Sequence, residues 1–410
     1  MRMETFIRKQ LGMKSHYVER IEETGDMVIA HVKRIGQRRL NCSRCRLPCN
    51  RTHGRPGKKR TWRDLSLRRS VLKISYHPFR VCCPRCKKVK VEKVPWAEPW
   101  SRVTMSLAAA VAVMARKLSW LEVASYFGLD WKTVAQIVRF AVAEGLKRRQ
   151  WMPLHTIGVD EVSRRKGHTY LTLVYDLERG RIVWIGEKRK RETIDSFFQW
   201  LNKRRCRSIR AVCCDMWAPY ADSIREHLPQ ARLVFDRFHL VRHCLDALDE
   251  VRREEVRHLT GSGKQAIKGT RFILLKNPWN LTSAQREGLF ALATSAKANR
   301  RLLRGYLLKE SFQLFWGYRS PFYAKRFLNS WLWQAAHSRL GPMKKFAQLV
   351  KTHIDGILAW TTLPISNGMA EGLNNKVKLI SHRAFGYRTA AYFIAAIYHV
   401  CADLELPDWS

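Results

Sequence analysis

Two periodicities divide the chain. Through the first hundred residues apolar positions recur every second residue, as in half-buried strands. Segments 17–23 and 27–34 flank the hairpin turn Thr24-Gly25-Asp26, and 71–76 sets Leu72, Ile74 and Tyr76 on one face. From 106 to 146 the spacing becomes three or four, which predicts helices. Strand-like runs return at 156–159, 170–175 and 181–186, then alternate with helical runs: helix 193–201, strand 211–214, helix 219–227, strand 232–235. Three strands followed by such alternation predict an α/β sheet domain. Between 238 and 360 strand signals vanish. Thr282-Ser-Ala-Gln285 has the spacing of a capping box, and Trp279, Trp316, Trp331, Trp333 and Trp360 suit an aromatic helical core. Ser366 opens one or two closing helices that run to about 404.

Charge changes the picture most. Lys and Arg number 76 against 34 Asp and Glu, a formal net charge of +42 over 410 residues. A compact chain with this excess repels itself, so a polyanionic partner is expected; charge alone leaves RNA and DNA both open. A hydrophobic content of 46% excludes wholesale disorder. The longest apolar run, 107–115, is short of the roughly 20 residues a bilayer needs, and the first ten residues lack a signal-peptide core. An intracellular protein without a membrane segment is expected, its eleven cysteines reduced or metal-bound.

Two of the cysteine groups have metal-ligand spacing. Cys42-Ser-Arg-Cys45 and Cys83-Pro-Arg-Cys86 are C-x-x-C knuckles whose thiolates suit one tetrahedral Zn²⁺ in a zinc-ribbon-like arrangement. Cys49 and Cys82 are spare, Cys82 competes with Cys83, and His53 and His77 are weaker alternatives. Farther on, 120–138 has the layout of a helix-turn-helix. Ala124 is small where the helices touch, Gly128 supplies the turn and Leu129 plugs the corner. Val134 and Ile137 face inward, and Asp130 can cap the second helix. Its outward Lys132, Thr133, Gln136 and Arg139 suit phosphate and base-edge contacts.

Three acids are candidates for chemistry. Asp160 follows the strand Ile157-Gly-Val159, and Asp215 follows Val212-Cys-Cys214. Acids at the ends of neighbouring strands can share divalent metals such as Mg²⁺, although either could be a helix cap. In 371–380, Leu373, Val377 and Ile380 mark one helix face, while Glu371, Asn374, Asn375 and Lys378 line another. Asp236 also follows an apolar strand, but the fifth strand should lie one position beyond the fourth, so Asp215 is preferred beside Asp160.

At these residues the chain resembles the transposases of the ISL-three insertion-sequence group. The shared motifs, in order, are Gly158-Val-Asp-Glu161, Gly167-His-Thr-Tyr170, Asp215-Met-Trp-Ala-Pro-Tyr220, Phe235-Asp-Arg-Phe-His239, Ala247-Leu-Asp-Glu-Val-Arg-Arg253, Ser366-Asn-Gly, Glu371-Gly-Leu-Asn-Asn375 and Arg383-Ala-Phe-Gly-Tyr387. Met369-Ala370 departs from the proline-containing pair of that group, and Arg46 stands where a glycine commonly follows the first knuckle. The resemblance implies an α/β multidomain chain with a ribonuclease-H-like mixed sheet core and a DDE triad of Asp160, Asp215 and Glu371. It implies residues 1–100 as a zinc-binding β domain and 101–150 as the helix-turn-helix domain. The catalytic core would occupy 151–245 and 363–410, with an α-helical insertion at 246–362. Two Mg²⁺ (or Mn²⁺) ions would serve the triad, and one Zn²⁺ the knuckles. The partners implied are double-stranded DNA (terminal inverted repeats and target) and a second copy or more of the chain, in a bacterial cytoplasm. Arg164, Arg165, Lys166, Asn375, Lys376 and Lys378 would hold DNA near the acids. The rival is a non-catalytic DNA-binding regulator on the same scaffold.

Overall fold

The computed structural model describes residues 2–36, 39–165, 169–258, 260, 264, 267–294 and 296–409, the side chains of 165 and 296–299 excepted. Along the chain the elements are α1 (Met3–Gln10), β1 (His16–Thr24), β2 (Met27–Arg34), β3 (Leu40–Asn41), β4 (Pro48–Cys49), β5 (Arg60–Arg63), β6 (Val71–Tyr76), β7 (Arg80–Cys83) and β8 (Lys88–Val91). Next come α2 (Met105–Met114), α3 (Trp120–Phe127), α4 (Trp131–Arg148), β9 (Thr156–Arg165), β10 (Thr169–Asp176), β11 (Arg181–Glu187), α5 (Arg191–Leu201), α6 (Lys203–Cys206), β12 (Ala211–Cys214), α7 (Ala218–His227), β13 (Arg232–Phe235) and α8 (Arg237–His258). Helices α9 (Arg271–Leu275), α10 (Ser283–Thr294), α11 (Ala296–Gln313), α12 (Pro321–Ala336), α13 (Gly341–Thr352), α14 (Ile354–Thr362), α15 (Gly368–Arg383) and α16 (Ala390–Cys401) follow. They form two compact units, one of Met1–Gln150 with Ile380–Ser410, the other of Trp151–Leu379.

The first unit opens with a sheet of order β1-β2-β6-β5, covered by α1 through Ile7 and closed over Trp62, Ile74 and Trp96. The expected hairpin forms across Thr24↔Met27. Helix α1 is absent from the strand reading of this region, although Met3, Phe6, Ile7 and Leu11 carry the spacing of one helix face, and Phe6, Ile7 and Leu11 pack into the core. In the helix-turn-helix, Ser119 and Glu122 close a capping box on α3. Gly128, at φ 58, ends it in the left-handed region where glycine carries no Cβ penalty. Asp130 accepts the Lys132 N–H to start α4.

The closing segment 363–410, expected as one piece of the catalytic core, is divided between the units. Helix α16 packs on α4, and Leu404 lies against Gly145. Its inward residues Phe393, Ala396, Ile397 and Cys401 need an apolar partner, which the buried face of α4 supplies. His399 is buried, and its Nε2–H donates to the Ala112 carbonyl at 2.8 Å.

In the second unit the sheet order is β11-β10-β9-β12-β13. Strands β11, β10 and β9 are antiparallel neighbours, whereas β9, β12 and β13 run parallel. The expected order, with the fourth strand beside the first and the fifth outside it, is the order observed. One continuous apolar cluster runs from Ile157, Val212 and Phe235 through α8 to Phe312, Trp316, Trp331 and Trp360, so sheet and helical segment share a core. Gln285 and Thr282 exchange the two capping-box hydrogen bonds at 3.2 and 3.3 Å. Of the five tryptophans, Trp316, Trp331 and Trp360 are buried, but Trp279 and Trp333 are 69% and 65% exposed. Trp279 sits in a 3₁₀ turn, and Trp333 lies on the outer face of α12 against His337.

Burial lowers the pKa of His399 from 6.5 to about 4. Between those values the unfolded chain binds the proton that the folded one refuses, so stability is full above pH 6.5 and falls as pH drops toward 4. Denaturant melts of the wild type should therefore weaken from pH 7 to pH 5 more than melts of His399→Gln.

Candidate active site and metal centre

The register of the three parallel strands brings the acids together. The β9–β12 ladder ends at Cys213↔Gly158 and the β12–β13 ladder at Cys214↔Phe235, so Asp160, Asp215 and Asp236 all lie within two residues of the ends of these ladders. Asp160 does not follow its strand, as expected, but lies within it. The β9–β10 pairing continues beyond the end of the β9–β12 pairing, with Asp160 opposite Leu173. Asp160 and Asp215 each accept the backbone N–H of the next residue, at 2.7 and 2.6 Å.

Helix α15 is fastened to this row. Asn374 Nδ2 donates to Asp160 Oδ2 at 2.7 Å, and the Tyr175 hydroxyl donates to Asn374 Oδ1. At the start of the helix Asn367 is buried, and its N–H donates to Asp236 Oδ1. A Cβ at Gly158 would stand 2.7 Å from Asn367 Oδ1 and 2.9 Å from Leu177 Cδ2, so glycine leaves both side chains where they are. Glu371 lies one turn before Asn374, with its side chain exposed. Among the described residues only four cysteines gather three or more ligand atoms within 4.8 Å of one another, so the three acids of the expected triad are farther apart than that.

Charged neighbours complete the site. His239 Nδ1 is 4.0 Å from Asp215 and its Nε2 3.9 Å from Asp236. Arg189 reaches Glu161 at 3.0 Å and Asp215 at 3.7 Å, with its guanidinium 4.8 Å from the Trp217 ring centre. Burial raises the pKa of Asp160 and Asp236, against the pull of His239 on each. Burial likewise pushes Glu161 up to about 7, opposed by Arg189. Crowded, partly dehydrated carboxylates of this kind are the groups that a divalent cation stabilises most in ionised form. Oxygen donors from strand ends fit Mg²⁺ or Mn²⁺ by hardness.

Arg164 lines a basic cleft of about 740 Å³ with Tyr170, Lys188, Arg189, Lys190 and Trp217, and its Nε and Nη1 are buried without a hydrogen-bond partner. Asn375, Lys376 and Lys378 are exposed on α15. The Arg165 side chain, Lys166 and the Gly167-His168 start of a shared motif lie outside the described residues. Sequence reasoning set Asn374 on the polar face with Glu371 but gave it no partner, and it missed Glu161 and Arg189 as parts of the site.

In the first unit Cys42, Cys45, Cys83 and Cys86 converge, with Cys45–Cys83 sulfurs 3.4 Å and Cys42–Cys86 sulfurs 4.0 Å apart. Four sulfurs about 2.3 Å from a tetrahedral Zn²⁺ would be about 3.8 Å apart, so the donor set fits zinc. The Cys86 N–H pulls the Cys83 thiol down to about 6. Cys82 is exposed, since β7 alternates and turns it outward. Cys49 is buried behind the cluster, which with burial lifts its thiol to about 11. Arg46 and Lys87, each directly after a knuckle, have φ of 60 and 50, the conformation for which glycine is the usual choice.

A family model described as a transposase matches residues 157–397, and one described as the helix-turn-helix domain of transposase family ISL3 matches 92–142. The chain belongs to transposase family ISL3. It is 31% identical over 392 residues to the transposase for insertion sequence element IS1001 of Bordetella parapertussis, covering 94% of this chain and 95% of that one. It is also 31% identical over 426 residues to the transposase for insertion sequence element IS1557 of Mycobacterium tuberculosis, covering 96% and 95%. Among solved structures, a Drosophila P element transposase strand transfer complex aligns with 72% of this chain and 90% of its own at 10% identity and a TM-score of 0.39, a likeness too slight to build on. No helix among the described residues of the transposase is long and apolar enough to cross a membrane.

Elemental analysis should find one zinc per chain, retained in Cys82→Ser and Cys49→Ser and lost in Cys83→Ser. Asn374→Ala should slow DNA end cleavage about 10- to 100-fold, the worth of one hydrogen bond to a charged group. Gel-shift binding of the same DNA should stay within twofold of wild type.

Proposed function

We propose that this transposase binds the terminal inverted repeats of its insertion sequence and cuts and joins DNA with Asp160, Asp215 and Glu371 as ligands of two Mg²⁺ or Mn²⁺ ions. The observation that carries the reading is the hydrogen bond from Asn374 to Asp160, which ties the helix of Glu371 to the aspartates of the parallel strands. Bound there, the cations would lower the proton affinity of an attacking water or 3′-hydroxyl and offset charge on the leaving oxygen. The residues of the chain do the rest. Asn374 orients the Asp160 carboxylate, and His239 and Arg189 balance Asp215 from two sides. Arg164, Arg165, Lys166, Asn375, Lys376 and Lys378 hold phosphates of the strand being cut.

Recognition belongs to the first unit. Lys132, Gln136 and Arg139 are exposed along α4, and Thr133 is half-buried beside them. Lys132 and Arg139 suit phosphate contacts, Thr133 and Gln136 base edges. One structural Zn²⁺ on the four cysteines holds the knuckles together. Pairing two element ends requires a dimer or larger assembly on DNA, with target DNA as the second substrate.

Incubating the purified protein with Mg²⁺ and labelled element ends tests the reading. Asp160→Ala, Asp215→Ala and Glu371→Ala should each abolish nicking and strand transfer while leaving end binding intact. Asp236→Ala should retain measurable chemistry with lower stability. If Asp215→Ala still cleaves and Asp236→Ala is dead, the wrong aspartate has been chosen. A wild-type protein that binds ends but never cuts them would be a regulator.

A further inference from the structure

The turn between α15 and α16 presents a feature that neither the fold nor the acids call for. Phe385 at its tip is 99% exposed and sits at φ 49, with Gly386 after it at φ 91. A phenyl ring wholly in water forgoes the stabilisation of burial, and a left-handed φ at a residue with a Cβ adds strain. The shared motif Arg383-Ala-Phe-Gly-Tyr387 nonetheless holds it there firmly. Gly386 N–H donates to the Ser381 carbonyl at 2.8 Å, and Arg383 Nη1 donates to the Lys117 carbonyl at 2.5 Å. Tyr387 stacks on Phe393 at 5.2 Å and meets the edge of Trp120 at 5.4 Å.

The tip stands on the side of the unit that faces DNA in a helix-turn-helix. A cleft of about 360 Å³ at its foot is lined by Trp120 and Leu121 at the start of α3, Trp131 at the start of α4, and the turn itself. In that motif the first helix crosses the DNA backbone, and the N-terminal residues of the second enter the major groove. The exposed Arg383 and Arg388 flank Phe385 along the chain, charges complementary to phosphates. Protein interfaces of standard size bury roughly 1,600 Å², far more than one ring between two arginines supplies. A wedge between base pairs needs one ring and a rigid mount.

We propose that Phe385 is an aromatic wedge that enters the base stack of duplex DNA held by the helix-turn-helix. This rests on the inverted-repeat reading above. The entry point should be a pyrimidine–purine step, the kind that unstacks most readily.

The test replaces successive bases of an element end with 2-aminopurine, whose emission rises when it loses its stacking neighbour. Wild-type protein should raise the emission several-fold at one step. Phe385→Ala should abolish the rise and weaken end binding about 5- to 150-fold, the range for one base–aromatic stack. Its log–log salt slope should match wild type, since no phosphate contact is lost. Phe385→Trp should keep both signals, and circular dichroism should show both variants folded, as a fully exposed ring carries no core. Wild type that binds ends without a rise at any step, or Phe385→Ala that keeps the rise, overturns the wedge alone. So does Phe385→Ala that changes only the size of the assembly. Wild type that binds no end DNA overturns the recognition reading and the wedge with it.

Discussion

One hydrogen bond joins parts of the chain 214 residues apart: the amide of Asn374 on the carboxylate of Asp160. A flexible loop of that length would oppose the contact with a large closure entropy. The chain between is instead folded, and its helices share one apolar cluster with the sheet. The segment from α8 to α14 therefore acts as a shaped spacer that returns α15 to the strands it must meet. Gly356, where a Cβ would strike the Phe235 ring at 2.5 Å, lets α14 lie close to β13 and fixes the direction of that return. Core packing far from the acids thus sets how α15 sits over them.

The site is built from partly dehydrated charge. Each carboxylate in the row has a counterweight: Asn374 for Asp160, Arg189 for Asp215, His239 between Asp215 and Asp236. Such groups destabilise a fold unless they are paired. The continuous core beneath them, with Trp331 and Phe312 wholly enclosed, is what tolerates the arrangement. The four-cysteine cluster solves the same problem differently in the other unit, where little apolar mass surrounds the knuckles and thiolates on one cation would supply the cohesion.

Much of this was legible in the sequence because period two and turn chemistry are local. The sheet order followed from three strands and then alternation, and the knuckles and helix-turn-helix from spacing. What escaped notice depends on distant partners. Asn374 reads as one more polar residue on a helix until β9 is laid beside it. Asp160 looked like a strand end because the signal of β9 fades into Asp-Glu, while pairing with β10 carries it on to Arg165. Trp279 and Trp333 have core composition but outward positions, which no periodicity of so aromatic a segment reveals. The destination of α16 was hidden for the same reason: an apolar helix face states that it needs a partner and not which one.

The packing of α16 on α2 and α4 has a temporal side. On the ribosome, the faces that α16 covers emerge early, and the helix that covers them is made only after the whole of Trp151–Leu379. Domains near the N-terminus ordinarily fold as they are released, and the β1-β2-β6-β5 sheet has its own core for this, but α2 and α4 lack one partner until the last helix is made. A growing polypeptide thus carries an unfinished helix-turn-helix through most of its synthesis. The helix-turn-helix is completed only after the five-stranded sheet has been made, so a truncated translation product lacks α16 and the packing it gives α4.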